Sequence, residues 1–285
     1  MERQAIFNAI SDLQPTESLL SLSALVIANV FSAFLFAAII RARQKTLVSS
    51  SELAGTFLVA QSAKYAPGKV WPILLQASYL NRRIGTALLT ITNIDVSLIS
   101  MAVTATMGVS IIIWVSISPI VAITLMISAL STTYLTAKWR ILDQFSAWLF
   151  CRITRSAFAP LISDGPTTAQ LRAMPFLSVL AGFAFAYFLG WSLFAGPALG
   201  NGWSDGVLWT ALIALSYVIG LASLFPAGIG VRELSMVGIA PFLGLDSDHA
   251  AGIAVLSRLF LITIDLAGIT VGAVLLLRED RRTKW

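Results

Sequence analysis

The sequence is poor in the residues that build metal centres, disulfides and solvated surfaces. Its 285 residues include one cysteine, Cys151, and one histidine, His249. A lone cysteine excludes an intrachain disulfide and a cysteine-rich metal cluster, and a lone histidine excludes the paired-histidine metal motifs. Charged residues make up 12% of the chain, whereas soluble domains carry about 25%. We therefore expect no metal site, no cofactor and no separate soluble domain.

The abundant residues are hydrophobic. They make up 57% of the chain, and the mean hydropathy is +0.84. A membrane-spanning helix needs about 20 apolar residues, and the windows that are long enough are 18–40, 84–106, 108–136, 173–197 and 250–277. The pattern predicts an all-α polytopic membrane protein with about five full spans, in a single integral membrane domain over residues 1–285.

The basic residues are placed unevenly. Of the 19 lysines and arginines, most fall in four clusters: after the first span, before the second, in the central connection and at the C-terminus. The positive-inside rule makes these clusters cytoplasmic, which places the N-terminus outside and the C-terminus inside. The central stretch, about 138–172, is predicted to be an interfacial amphipathic helix, with a plain loop as the alternative. The basic charge then indicates an anionic leaflet and not nucleic acid.

Two hydrophobic segments, about 52–80 and about 206–245, are interrupted by helix breakers. The breakers are Pro67 and Gly68 within KYAPGKVW, and Pro226, Gly228 and Gly230 within PAGIGVRE. Both ends of the first segment are predicted to be cytoplasmic, and both ends of the second to be outside. We therefore expect two re-entrant hairpins that enter from opposite faces. Such paired broken helices are typical of inverted-repeat transporters, whose sites lie near the midplane.

The charged residues inside apolar stretches, with two aromatic neighbours, are the candidate site residues. Each charge costs about 2.5–3.5 kcal/mol at a helix centre, so we expect it to face a protein interior or a wet cavity. The candidates for binding an anionic headgroup are Lys64, Tyr65, Lys69, Trp71, Arg232 and Arg258. The candidates for coupling or counter-ion roles are Asp95, Glu233 and Asp265. Backbone N–H groups freed at the breaks also attract anions.

These residues also have structural interpretations. The lysines of the first break can be interfacial anchors, with their aromatic neighbours as a membrane-interface belt. The acidic residues can hold helices together in buried ion pairs, or can form a proton relay. We expect Asp95 to be the counter-ion of Arg258 or Lys69, and we expect Asp265 to share one face of the last span with Arg258.

The two broken segments carry a resemblance to a known family. The first matches a Lys-Tyr-x-Pro-Gly-Lys-Val-Trp motif at 64–71, and the second matches Gly-x-Gly-Val-Arg-Glu at 228–233, after Pro226. With these motifs the chain resembles, over most of its length, the transmembrane region of lysylphosphatidylglycerol synthase, which also forms the flippase domain of the bacterial multiple-peptide-resistance factor. The resemblance implies a lipid carrier in a prokaryotic cytoplasmic (inner) membrane. It also implies one more N-terminal hydrophobic helix, which the polar residues 1–16 do not supply.

The residues and the resemblance lead to one expected function and two alternatives. We expect a lipid translocase, not an enzyme, that binds the headgroup of a phospholipid, an aminoacyl-phospholipid or a polyprenyl-linked sugar. Its expected partners are membrane lipids and cell-envelope biosynthesis proteins. A membrane glycosyltransferase is the first alternative, and the DSD sequence at Asp246–Asp248 is its candidate metal site. The second is a non-transporting protein of cell-surface polysaccharide assembly.

Overall fold

The computed structural model describes residues 15–44, 46–66, 70–80, 83–138, 144–146, 148, 173–196, 203–223 and 228–283. Every regular element within these ranges is helical. Five of the described helices are long and apolar enough to cross a membrane, as the hydropathy windows predict. The predicted amphipathic segment at 138–172 lies largely outside the described residues, as do Pro67, Gly68, Lys69 and Pro226.

Five candidate spanning helices, called the long helices below, and two further pairs of helices account for most of the described chain. The long helices are α1 (Pro15–Arg43), α4 (Thr86–Ser116), α5 (Pro119–Lys138), α6 (Ala173–Ala195) and α9 (Ser247–Thr283). The paired helices are α2 (Ser50–Ala60) and α3 (Trp71–Leu80) in the first pair, and α7 (Trp203–Ala222) and α8 (Val231–Ile239) in the second. Short 3-10 turns, Gln61–Tyr65 and Ala240–Leu243, continue α2 and α8. Each predicted broken segment thus holds two helices with an interruption between them.

The boundary between the second and third long helices differs from the predicted one. The hydropathy windows place it near residue 107, whereas α4 continues to Ser116 and α5 begins at Pro119. Gly108 lies inside the helix, and its missing side chain makes room for Leu215, whose Cγ would lie 3.1 Å from a Cβ at this position. Proline lacks an N–H and is favoured in the first helical turn, so Pro119 marks the start of α5.

The chain forms two compact units, and the boundaries between them fall inside the five long helices. Unit 1 comprises Met1–Ala28, Met101–Ala129 and Gly182–Leu266, and unit 2 comprises Asn29–Ser100, Leu130–Ala181 and Ala267–Trp285. Unit 2 takes the end of each long helix that adjoins a basic cluster, together with the α2–α3 pair. Unit 1 takes the opposite end of each long helix, together with the α7–α8 pair.

In unit 2, α2 and α3 pack against each other. Ser49 begins α2 as an N-cap, because its hydroxyl accepts the N–H of Glu52 at 3.0 Å. Gly55 of α2 faces Gly272 of α9, and a Cβ on either glycine would lie within 2.9 Å of the other's carbonyl oxygen. Such small residues let helix backbones approach closely in membranes. The first pair is therefore anchored on the last helix through a glycine contact.

In unit 1, α7 and α8 also pack against each other. Gly228 and Gly230 lie between these two helices and have φ values of +64° and +82°, which residues other than glycine rarely adopt. A Cβ on Gly228 would also lie 2.8 Å from the carbonyl oxygen of Gly220 on α7. The turn therefore requires glycine at residue 228 for two reasons, its backbone conformation and its lack of space.

Candidate functional site

The described residues of the first interruption are partly exposed in unit 2. The Lys64 Nζ lies 5.5 Å from the centroid of the Tyr65 ring, within the range of a cation–π contact. Tyr65 and Trp71 are 37% and 48% exposed. A partly exposed cation over an aromatic ring is typical of a membrane interface. These residues do not form an enclosed site within the described part of the first interruption.

Arg232, at the second interruption, is a buried cation of unit 1. It is 3% exposed and lies in the first turn of α8. Gly220 of α7 makes room for it, because a Cβ at Gly220 would lie 3.1 Å from the Arg232 Cβ. The guanidinium carbon lies over the Trp191 ring, 5.7 Å from its centroid. This contact contributes about 2 kcal/mol when desolvated, which offsets only part of the cost of burying a charge.

Four buried polar atoms in this region have no hydrogen-bond partner within the described ranges. They are Arg232 Nε, Arg232 Nη2, Tyr187 Oη and Trp191 Nε1. The two guanidinium nitrogens share the edge that donates two parallel bonds to one carboxylate or phosphate. Tyr187 and Trp191 lie four residues apart on one face of α6, and their ring centroids are 6.1 Å apart. Guanidinium and indole groups only donate, and the Tyr187 hydroxyl is the one group of the cluster that can also accept, so the cluster holds more donors than acceptors.

Sequence reasoning missed Tyr187 and Trp191. They lie in the apolar run of α6, where aromatic residues at helical spacing usually form a core, and Trp191 does pack edge-on against Phe194 at 5.4 Å. A usable signal was present, because the hydroxyl of a buried tyrosine and the N–H of a buried tryptophan usually find partners. An apolar run offers few such partners, so both side chains were candidates for binding a ligand.

Glu233 is directed away from its neighbour Arg232 and pairs with Arg258 of α9. Its other oxygen, Oε2, accepts the N–H of Gly230 at 2.7 Å, which caps the start of α8. Both oxygens of Glu233 are therefore engaged, and the charge that it neutralises is that of Arg258.

Asp95 has a different counter-ion from the two that the sequence suggested. It is fully buried in unit 2, where it pairs with Arg43 of α1. Ser146 also donates a hydrogen bond to it, and Arg43 Nη1 donates to Thr92 at 3.0 Å. Arg258 pairs with Glu233, and the predicted pairing of Asp95 with Arg258 stays a prediction. The pairing with Lys69 lies outside the described residues.

Two further acidic residues have distinct surroundings. Asp265, on α9, is buried in unit 1. Asp246 of the DSD sequence is exposed and caps α9, since its Oδ2 accepts the His249 N–H at 3.2 Å and lies 2.6 Å from His249 Nδ1. The hydrogen bond with the His249 ring lowers the pKa of Asp246. Among the described residues no group of histidine, cysteine or acidic side chains is arranged to hold a metal ion.

Neither a comparison with protein-family models nor one with curated proteins gives a match for this chain. The resemblance to the lysylphosphatidylglycerol synthase transmembrane region stays a prediction. The functional interpretation therefore depends on the arrangement itself, above all on the donor cluster of Arg232, Tyr187 and Trp191.

Proposed function

We propose that this chain is a lipid carrier of the flippase type, which binds the anionic headgroup of a membrane lipid at the second interruption. The observation that carries the proposal is the burial of Arg232 with two guanidinium nitrogens that have no partner in the described residues. An unsatisfied buried polar group costs about 1–3 kcal/mol, and a charged one costs more. A headgroup phosphate supplies the acceptors that this guanidinium lacks.

The surroundings of Arg232 support binding more than a structural role. A structural arginine in a membrane protein pairs with an acidic side chain or with backbone carbonyls. The neighbouring carboxylate, Glu233, is already engaged by Arg258 and by the Gly230 N–H. In a carrier the lipid tails stay in the bilayer, so only the headgroup needs this polar site.

The division of the chain supports the proposed topology. Unit 2 contains the helix ends beside the basic clusters and the first helix pair, whereas unit 1 contains the opposite ends and the second pair. Two hairpins that enter the bilayer from opposite faces lead to this division. We propose that the clusters are cytoplasmic, that the N-terminus is outside, and that the protein lies in a prokaryotic inner membrane as an inverted-repeat member of the lysylphosphatidylglycerol synthase transmembrane family.

The glycosyltransferase alternative is weakened by the local structure of the DSD sequence. Asp246 is occupied as a helix cap and as the partner of His249. A capping carboxylate of this kind has an ordinary structural explanation, so the DSD sequence no longer favours a metal-dependent transferase. The assembly-protein alternative makes no demand on Arg232, and the experiment below separates it from the carrier.

The proposal is tested by reconstitution of the full chain in liposomes that contain fluorescently tail-labelled phosphatidylglycerol in both leaflets. A membrane-impermeant quencher reports whether inner-leaflet lipid reaches the outer leaflet. We expect lipid movement with the wild type, loss of most of it with Arg232→Gln, and no change with Arg278→Gln, an exposed arginine of α9. If wild-type protein moves no more lipid than empty liposomes, or if Arg232→Gln is fully active, the carrier proposal is wrong.

The topology has a separate test in a Cys151→Ala background. Leu47 precedes α2 and is fully exposed, and Asp248 lies at the start of α9 and is exposed. With a membrane-impermeant maleimide on intact cells, we expect Asp248→Cys to react and Leu47→Cys to react only after the membrane is permeabilised. The reverse pattern, or reaction of both in intact cells, contradicts hairpins that enter from opposite faces.

A further inference from the structure

The donor cluster restricts which anion fits. We propose that Tyr187 and Trp191 of α6 bind the headgroup directly together with Arg232 of α8, and that the ligand is a singly charged phosphodiester. This inference rests on the proposed function, because it assigns two further binding residues and a charge class to the same site. The geometry points to it through four buried polar atoms that have no partner within the described residues and come from two helices far apart in sequence.

The rings place these atoms close together. Tyr187 is 8% exposed and Trp191 is 1% exposed, so neither polar tip has ready access to water. Trp191 links the other two side chains, since the Arg232 guanidinium carbon lies 5.7 Å from its ring centroid and the Tyr187 ring lies 6.1 Å away. Tyr217 of α7 closes the group at 6.2 Å from Tyr187. A small anion beside Arg232 is therefore within reach of the hydroxyl and the indole N–H.

The charges favour a monoanion. Arg232 supplies one positive charge, whereas the Tyr187 hydroxyl and the Trp191 indole are neutral donors. Arg258 does not add a second free charge, because Glu233 neutralises it. Asp265, a buried carboxyl of the same unit, adds no positive charge either. At neutral pH a phosphomonoester carries most of a second negative charge and a pyrophosphate carries more, and this site would leave the excess buried and uncompensated at a high cost.

The number of donors matches the acceptors of a phosphodiester. Its two unesterified oxygens share one negative charge, and each can accept about two hydrogen bonds, as carboxylate oxygens do. The two nitrogens of the guanidinium edge, the Tyr187 hydroxyl and the Trp191 N–H provide four donors. A carboxylate has the same charge and oxygen count, so the shared chemistry is a singly charged pair of equivalent oxygens. Phosphodiesters carry this pair in membrane phospholipids.

The experiment measures binding by the detergent-solubilised full chain. The ligands are dihexanoyl-phosphatidylglycerol, dihexanoyl-phosphatidic acid, hexanoate and inorganic phosphate, each titrated by calorimetry. The variants are Tyr187→Phe, Trp191→Phe and Arg232→Gln. Tyr79→Phe, at an exposed tyrosine, is the control for the lost hydroxyl, and Trp209→Phe, at a buried tryptophan of unit 1, is the control for the lost ring volume.

We expect Tyr187→Phe and Trp191→Phe each to weaken phosphatidylglycerol binding about tenfold or more, as loss of a hydrogen bond to a charged group does. Neither control should weaken it more than about twofold. Without ligand, Tyr187→Phe should unfold at the same or a higher temperature than the wild type, because the hydroxyl it removes is unsatisfied. If the hydroxyl made a structural hydrogen bond, its removal would instead lower the unfolding temperature.

The possible failures are distinct. If Arg232→Gln loses binding while both aromatic variants keep it, the anion site at Arg232 stands and the extended site is wrong. If Arg232→Gln also binds normally, or the wild type binds none of the ligands, the proposed function fails as well. Tighter binding of phosphatidic acid overturns the monoanion assignment. If hexanoate binds as tightly as phosphatidylglycerol, the site is a carboxylate site. If inorganic phosphate binds as tightly as phosphatidylglycerol, the ligand is a free anion.

Discussion

Arg43 and Arg232 are both largely buried, but they have opposite surroundings. In unit 2, Arg43 pairs with the fully buried Asp95, which also accepts a hydrogen bond from Ser146. In unit 1, Arg232 lies against the face of Trp191, and two of its nitrogens have no partner in the described chain. The first arrangement is a closed network that holds α1 to α4. The second lacks hydrogen-bond acceptors within the described residues, and the proposed headgroup would supply them.

The difference teaches that burial of a charge does not by itself identify a site. The sequence marked Asp95 and Arg232 as equally unusual, because both lie within apolar stretches. The two can be told apart only by their hydrogen bonds, since a satisfied ion pair contributes to structure and an unsatisfied donor set requires an acceptor from elsewhere.

The largest expected effect is that of breaking the satisfied network. Arg43→Met leaves Asp95 buried without its cation, and removal of one partner from a buried pair costs about 3–5 kcal/mol. We expect a lower unfolding temperature in detergent, and partial recovery in the double variant Arg43→Met/Asp95→Asn. The control is Arg278→Met, at an exposed position of α9. An unfolding temperature equal to that of the control would show that the network does not stabilise unit 2.

A smaller loss of stability is expected when the turn that positions Arg232 is strained. Gly228→Ala combines a positive φ with a Cβ only 2.8 Å from the Gly220 carbonyl oxygen, so we expect about 2–4 kcal/mol of destabilisation and weaker headgroup binding. Gly230→Ala strains the backbone, but its Cβ would meet no atom within 4 Å, so the loss of stability should be about 1 kcal/mol. Chemical unfolding of both variants measures the difference. Equal costs would show that close packing against α7 is unimportant.

A change in stability of the opposite sign is expected when Arg232 is replaced. Arg232→Met removes a buried cation that forms no ion pair with any residue the structure describes, so the unliganded protein should be unchanged or more stable by about 1–3 kcal/mol. The same unfolding assay as for Arg43→Met measures it, with ligand binding followed in parallel. Destabilisation as large as that of Arg43→Met would remove the contrast between the two arginines and would point to a structural role for Arg232.

The smallest effect is expected at an exposed charge, which resembles neither arginine. Because the folded pKa of Asp246 is lowered, its charged form contributes stability above its ordinary pKa of 3.8, and this contribution is lost as the pH falls through the lowered value. The unfolding temperature of Asp246→Asn should therefore be slightly lower than that of the wild type at neutral pH and equal to it in strong acid. Unfolding temperatures between pH 7 and pH 3 test this. A difference that grows in acid would contradict the assignment.

Much of the fold followed from local sequence. The five long helices correspond to apolar windows, although α4 extends past Gly108, where Leu215 occupies the space that the glycine leaves. The interruption at Gly228 and Gly230 was also predictable, since glycine permits the backbone conformation that the turn requires. The counter-ion of Asp95 was not predictable, because Arg43 lies 52 residues away in sequence and many other cations were equally available.

The sequence by itself determined the membrane class, the long helices and the positions of their interruptions, because hydropathy and backbone preference are properties of short stretches. The tertiary structure alone decided which charges are neutralised and which are not. Glu233 could have faced Arg232 or Arg258, and Tyr187 and Trp191 could have been ordinary core residues. Their surroundings depend on which helix faces meet, and only the packing of α6, α7, α8 and α9 brings together more donors than acceptors among the described residues.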